Sequence, residues 1–334
     1  MSDTQRLDAM HAQLQKVLQK YYGDALAPAE RTALEQQMQN FQQQPYAVSA
    51  AQSFLQRSSD RLVLFFAASL LEKYVLEKWR STDTAAAETL RTSILQLLVA
   101  RTQSENPWPK MVLDKILGTV CLIAMQDFPQ RYPSYFGDLL KLVQAAPTLE
   151  VGARLVRFTL EEFPLSSTKL VKKRHAAVLS SQRMDELTAF MNKTVGQFIP
   201  VLEAILVDEA REARAGADAL TCLEVICDNA PASAAAGIAA SSKLLRRLFG
   251  YLIPVSTPMA AGVANGNTGA MKLSPHAPLA LQVLSSMITK QCLPTAGEQG
   301  FAAFVAKQVS WWFCVGHGEK LKLSEPCLTF VLLS

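Results

Sequence analysis

Apolar residues along this chain recur at intervals of three and four rather than in alternation. Val112, Ile116, Val120 and Ile123, for example, follow spacings of four, four and three, which places them in one stripe of a helix. Prolines at 28, 45, 107, 109, 129, 133, 147, 164, 231, 254 and 294 cut the periodic stretches into pieces one or two helices long. Between these breaks the pattern predicts helices at about 3–22, 28–43, 46–57, 60–80, 84–102, 109–126, 132–145 and 148–163. They pair into four units of about 40 residues. An isolated pair would leave apolar surface on two sides that only another pair can cover, so linear stacking is the economical arrangement. The expected architecture is all-α: a right-handed superhelical solenoid of HEAT-type antiparallel helix pairs. The period carries this reading, since successive units are not visibly alike.

Beyond Pro164 the regularity loosens. A polar, basic connection at 166–174 contains Lys169, Lys172, Lys173 and Arg174, read as a solvated run. A long helical stretch at about 182–213 follows, with a kink expected near Pro200. A helix at about 217–228, an alanine- and serine-rich turn, and a helix at about 241–252 come next. Gly, Asn and Pro dominate the flexible loop expected at about 256–275. Helices are expected again at about 276–291 and 296–314. The organisation read from this pattern is repeats over 1–165, further helix pairs over 166–315, and an irregular tail over 316–334. The tail has an unpartnered apolar run at its end, so the solenoid is expected to continue in a longer product.

Composition narrows the function classes. Leu, Ala, Gln and Lys are abundant, Gly numbers only 15, and the net charge of +4 is dispersed along the chain, so nucleic acid is not implied. Cys121, Cys222, Cys227, Cys292, Cys314 and Cys327 lie mostly in apolar helical context and read as reduced core thiols of a cytosolic or nuclear protein. No signal-peptide pattern is seen at the start, and the apolar run Leu62–Leu71 is too short to span a bilayer. His11, His175, His276 and His317 form no metal or acid–base spacing. Cys222 and Cys227 diverge by about 140° on a helix and lack a second ligand pair. Gly262, Gly266 and Gly269 follow no strand and precede no Gly-Lys-Ser/Thr, while Glu161, Glu162, Glu209 and Glu212 have the spacing of solvated helix faces. The expectation is a protein-binding chain without catalysis, metal or cofactor.

Two blocks carry a family likeness. Within Phe41–Trp79, Phe54 and Leu55 end one helix, and Phe66, Ala67, Ala68, Leu71, Glu72 and Trp79 mark the next. Further on, Lys115 and Ile116 lead to Ile123-Ala124-Met125-Gln126-Asp127-Phe128-Pro129 and then Tyr132-Pro133-Ser134-Tyr135-Phe136. Over about residues 5–165 the chain resembles the amino-terminal repeats of the karyopherin-β family, Phe128 replacing the usual Trp of an exportin Asp-Trp-Pro corner. The Gln-Asp-aromatic-Pro corner and Thr159-Leu160-Glu161-Glu162 are most similar to the exportin branch that carries actin with profilin.

The resemblance implies a nuclear export receptor, shuttling between nucleus and cytoplasm through the pore. Its partners would be Ran-GTP, protein cargo such as actin with profilin, and phenylalanine-glycine nucleoporins, without nucleic acid or membrane insertion. Ran-GTP would dock across the second helices of the early repeats, which makes Ser69, Lys73, Lys110 and Asp114 the candidate contacts. Phe54, Phe66, Leu71 and Trp79 are expected in the core, where an aromatic stripe at helical spacing buries area between helices. Ran-GTP and cargo would each favour one conformation of a spring-like solenoid and so raise each other's affinity. The competing reading is a HEAT-type cytosolic scaffold that never meets Ran.

Overall fold

Helix boundaries follow local capping chemistry closely. The computed structural model describes residues 3–23, 26–165, 179–252, 255–256, 271–272 and 274–290. The first eight helices are α1 (Asp3–Gly23), α2 (Pro28–Gln42), α3 (Ala47–Arg57), α4 (Arg61–Glu77), α5 (Thr84–Thr102), α6 (Lys110–Asp127), α7 (Tyr135–Gln144) and α8 (Leu149–Glu162). Asp60 begins α4 by accepting the N–H groups of Leu62 at 2.8 Å and Val63 at 3.2 Å, and Asp83 does the same for Ala85 and Ala86 of α5. Pro28 occupies the first turn of α2, and Pro109 directly precedes α6, positions where a missing N–H costs nothing.

The chain divides into two compact units, the boundary in α8 falling between Phe158 and Thr159. In the first unit α3 packs on α4 and α5 on α6, while α3 also lies beside α5 and α4 beside α6. First helices therefore form one layer and second helices another, the stacking that defines an all-α solenoid. Phe54, Leu55, Phe66, Leu71, Trp79, Ile94, Leu98 and Ile116 fill the space between the layers. Carbonyls at the end of α3 are met from the following pair: Arg101 donates to Leu55 O at 3.0 Å and to Ser58 O at 2.7 Å, and Trp108 Nε1 to Leu55 O at 3.0 Å. Burial lowers the pKa of this guanidinium from its usual value. Gly152 of α8 permits the closest approach to α7, since a Cβ there would lie 2.6 Å from the Leu142 carbonyl carbon and the Val143 nitrogen.

The second unit contains α9 (Ser181–Thr194), α10 (Ile199–Val207), α11 (Glu209–Asn229), α12 (Ala232–Ala240), α13 (Ser242–Leu252) and α14 (Ala277–Thr289). The long stretch at 182–213 with one kink is corrected here to three separate helices. A short 3-10 turn, Val195–Phe198, ends α9, Pro200 sits in the first turn of α10 and so starts a helix, and Asp208 caps α11 by accepting from Ala210 and Arg211. The alanine- and serine-rich turn is also a helix, α12, because alanine has the highest helix propensity and its small side chains bury against α11 and α13. At the loop expected over 256–275, Val255 pairs with Lys272 and Ser256 with Met271 in a short antiparallel ladder. Residues 257–270 lie outside the described residues, as do the basic connection at 166–174, the helix at 296–314 and the tail at 316–334.

Candidate functional site

Second helices α4 and α6 carry the polar positions, and α8 continues the row. On α4, Leu62, Phe65, Ser69, Glu72, Lys73 and Leu76 remain partly or fully exposed at helical spacing, while Val63, Leu64, Phe66, Ala67, Leu70 and Leu71 are buried. Only the first half of α6 is open, with Lys110 and Met111 exposed and Asp114 and Lys115 half-buried. Its second half, Ile116–Met125, is entirely buried.

Interhelix ion pairs lace this row together. Lys115 Nζ lies 2.5 Å from Glu72 Oε2 and 5.4 Å from the centre of the Phe65 ring, joining α6 to α4. Arg154 Nε lies 2.9 Å from Asp114 Oδ1, joining α8 to α6. Of the four residues singled out as partner contacts, Asp114 is thus committed to Arg154, and Ser69 donates to Phe65 O of its own helix at 2.7 Å. Lys73 donates to the neutral Gln42 Oε1 at 3.0 Å, and Lys110 stands exposed at the first position of α6. Lys115 and Arg154 were not anticipated as members of this face. Their signal was a charge set inside an otherwise apolar helix, which requires a partner in the neighbouring repeat.

The second constellation is the corner that ends α6. Asp127 is 1% exposed, and its Oδ1 accepts from Trp79 Nε1 at 2.9 Å. Arg91 Nη1 and Arg131 Nη1 each stand 3.5 Å from the same carboxylate. Arg91 Nη1 also donates to Arg131 O, and Arg131 Nη2 to Thr82 O. Phe128 and Phe136 meet edge to face at 5.0 Å, with Phe128–Pro129 in the cis form. Leu55, Leu71, Phe54 and Phe66 are buried, whereas Glu72 is half-buried on the open face. This corner is therefore a buried ionic joint between repeats.

Tyr132 belongs to the same joint. Burial, and then the nearby Asp138 carboxylate, push its phenol up to about 12, while the Arg91 guanidinium over its ring at 4.2 Å opposes the shift. A phenol held above its unfolded value of about 10 stabilises the fold below that pH and loses its contribution as pH rises to about 12. Unfolding free energy should therefore drop by about 2 kcal/mol across that interval in wild type and by less in Tyr132→Phe. Equal slopes in the two proteins would contradict this assignment.

Other chemistry is sparse. Among the described residues no three His, Cys, Asp or Glu side chains gather as a metal site, and no helix is long and apolar enough to cross a membrane. Cys121, Cys222 and Cys227 are buried thiols. In the second unit Glu212 of α11 accepts from Arg247 of α13 and faces His276 at 3.8 Å. Tyr251 is held above the usual phenol range by burial and by its hydrogen bond to Glu212.

A charged but largely self-paired row of second helices, above a layer of first helices, defines a repeat protein that presents a surface rather than a pocket. Residues 34–100, which hold the α3–α4 pair and most of α5, match the importin-beta N-terminal domain. Human exportin-6 is 22% identical over 193 residues, covering 58% of this chain and 16% of the relative. Exportin-6 of Dictyostelium discoideum is 21% identical over 316 residues, covering 90% of this chain and 29% of the relative. Exportin-1 of Schizosaccharomyces pombe is 27% identical over 139 residues, covering 41% and 12%. The amino-terminal part of the chain is thus similar to karyopherin-β amino-terminal regions and to exportins, exportin-6 among them. The chain spans only 14–16% of the length of its vertebrate exportin-6 relatives.

Proposed function

We propose that this chain is the front part of an exportin-type nuclear transport receptor, and that the second-helix row of its first unit binds Ran-GTP. The observation carrying this reading is the coincidence of the importin-beta N-terminal match at 34–100 with the stacked helices that expose Ser69 and Lys73. Protein cargo would be held in cooperation with Ran-GTP; the similarity to exportin-6 favours actin with profilin. The working receptor would shuttle between nucleus and cytoplasm. On the opposite layer, an apolar groove of about 320 Å³ lies between α5 and α7, lined by Leu95, Val99, Tyr135, Leu139, Leu142 and Leu155. That groove suits a single aromatic side chain, as phenylalanine-glycine nucleoporins would supply.

The purified chain should be retained by immobilised Ran in its GTP form and not in its GDP form. It should also be retarded on phenylalanine-glycine repeat resin, and less so after Leu95→Asp, a change at a part-exposed position of the groove. Equal or absent retention on the two forms of Ran would remove the Ran reading. Failure on both resins would favour the scaffold alternative. One observation supports that alternative: Glu72–Lys115 and Asp114–Arg154 neutralise each other, as a face that only holds layers together would arrange.

A further inference from the structure

The charges on the second-helix row fall into two groups. Glu72 and Asp114 are both engaged in interhelix pairs, with Lys115 at 2.5 Å and Arg154 at 2.9 Å. One oxygen of each is thus held by a cation of the neighbouring helix, and the pair's charge is neutralised within the row. Lys73, by contrast, meets only the neutral Gln42, and Lys110 has no ion pair among the described residues. Arg61 and Glu77, at the two edges of the α4 stripe, offset each other in charge. The surplus left on the central row is therefore positive. Apolar surface is open on the same two helices: Met111 of α6 is 57% exposed, and Phe65 and Leu62 of α4 are partly open. An exposed methionine adapts its shape to a contact at little cost, which suits a docking position better than a core one.

From this arrangement we infer that the row recognises an acidic protein surface that also brings an apolar side chain to Met111. Lys73 and Lys110 supply the electrostatic contacts and Met111 the apolar one. The inference rests on the Ran-GTP reading and adds to it the chemistry that the partner must present: carboxylates opposite α4 and α6, together with an apolar side chain. Exposed charges of this kind act mainly through the association rate and are screened by salt, whereas an apolar contact is not. Pairs already closed along the row change little on binding, because the partner need not break them.

The test measures affinity and association rate of the full chain for GTP-loaded Ran as NaCl is raised from about 50 to about 300 mM. Affinity should fall with salt, and Lys73→Glu with Lys110→Glu should lower it about tenfold or more, chiefly through slower association. Met111→Ala should weaken binding without altering the salt slope. Lys141→Glu, an exposed reversal on α7, should leave affinity unchanged, and all variants should keep the melting temperature of wild type. Ran binding that tolerates the double reversal, or that strengthens with salt, overturns the inference while leaving the Ran reading intact. No binding of Ran-GTP by the unaltered chain overturns both.

Discussion

Replacing Asp127 with alanine is expected to cost about 3–5 kcal/mol of stability, enough to unfold much of a marginally stable first unit. The carboxylate is 1% exposed and serves three partners at once: the Trp79 indole at 2.9 Å and the guanidinium groups of Arg91 and Arg131 at 3.5 Å. Its loss leaves two cations near an interior that can no longer balance them, and an indole N–H without its acceptor. The cost exceeds that of a surface pair because those groups have already lost much of their water. Arg91 and Arg131 side chains are only 12% and 25% exposed. Urea unfolding should report the full loss in Asp127→Ala. Asp127→Asn, which keeps an acceptor for Trp79 but not the charge, should lose less. A double-mutant cycle with Trp79→Phe should show a coupling of about 1–3 kcal/mol. A change below about 1 kcal/mol in Asp127→Ala would mean that the corner is only loosely held.

Gly152→Val should be nearly as damaging, with about 3 kcal/mol or more lost. Even a single Cβ at this point would stand 2.6 Å from the Leu142 carbonyl carbon and the Val143 nitrogen and 2.8 Å from the Leu142 oxygen. These are backbone atoms of α7, so no rotamer change relieves the clash, and α7 and α8 must move apart. Gly137→Ala provides the contrast, since a Cβ there meets nothing within 4 Å. That change should be neutral or stabilise by about 0.5–1 kcal/mol through the unfolded chain. Thermal melts of the two variants beside wild type check both expectations, and a melting temperature for Gly152→Val equal to wild type would refute the close approach.

The contrast between the two halves shows what local signals can specify. Helices α2 to α8 lie within a few residues of where periodicity and prolines place them, because their starts are set by groups adjacent in sequence. Asp60 and Asp83 cap from the residue before the helix, and Pro28 and Pro109 mark helix starts where no N–H is needed. The same local rules mislead at Pro200, where a proline in a helical pattern signals either a kink or a new start. The packing of the 3-10 turn against α9 and α10 decides for a start. The alanine-rich segment of α12 has no polar face to show periodicity, and it becomes a helix that buries Ala234, Ala235, Ile238 and Ala239.

The candidate site divides in the same way. Motif residues Trp79, Asp127 and Phe128 stand out in the sequence, yet nothing in their spacing reveals that Trp79 and Asp127 share a hydrogen bond across 48 residues. Likewise Asp114 reads as an open polar position until α8 brings Arg154 against it. By itself, the order of residues determines the all-helical class, the repeat period and the family likeness, since each depends on contacts within a turn or two of chain. Which charges are consumed between helices, leaving Lys73 and Lys110 without an ion pair among the described residues, is decided only by the tertiary structure. That outcome depends on distances of a few ångströms between residues some 40 positions apart, and Coulomb energy responds to separation in space rather than along the chain.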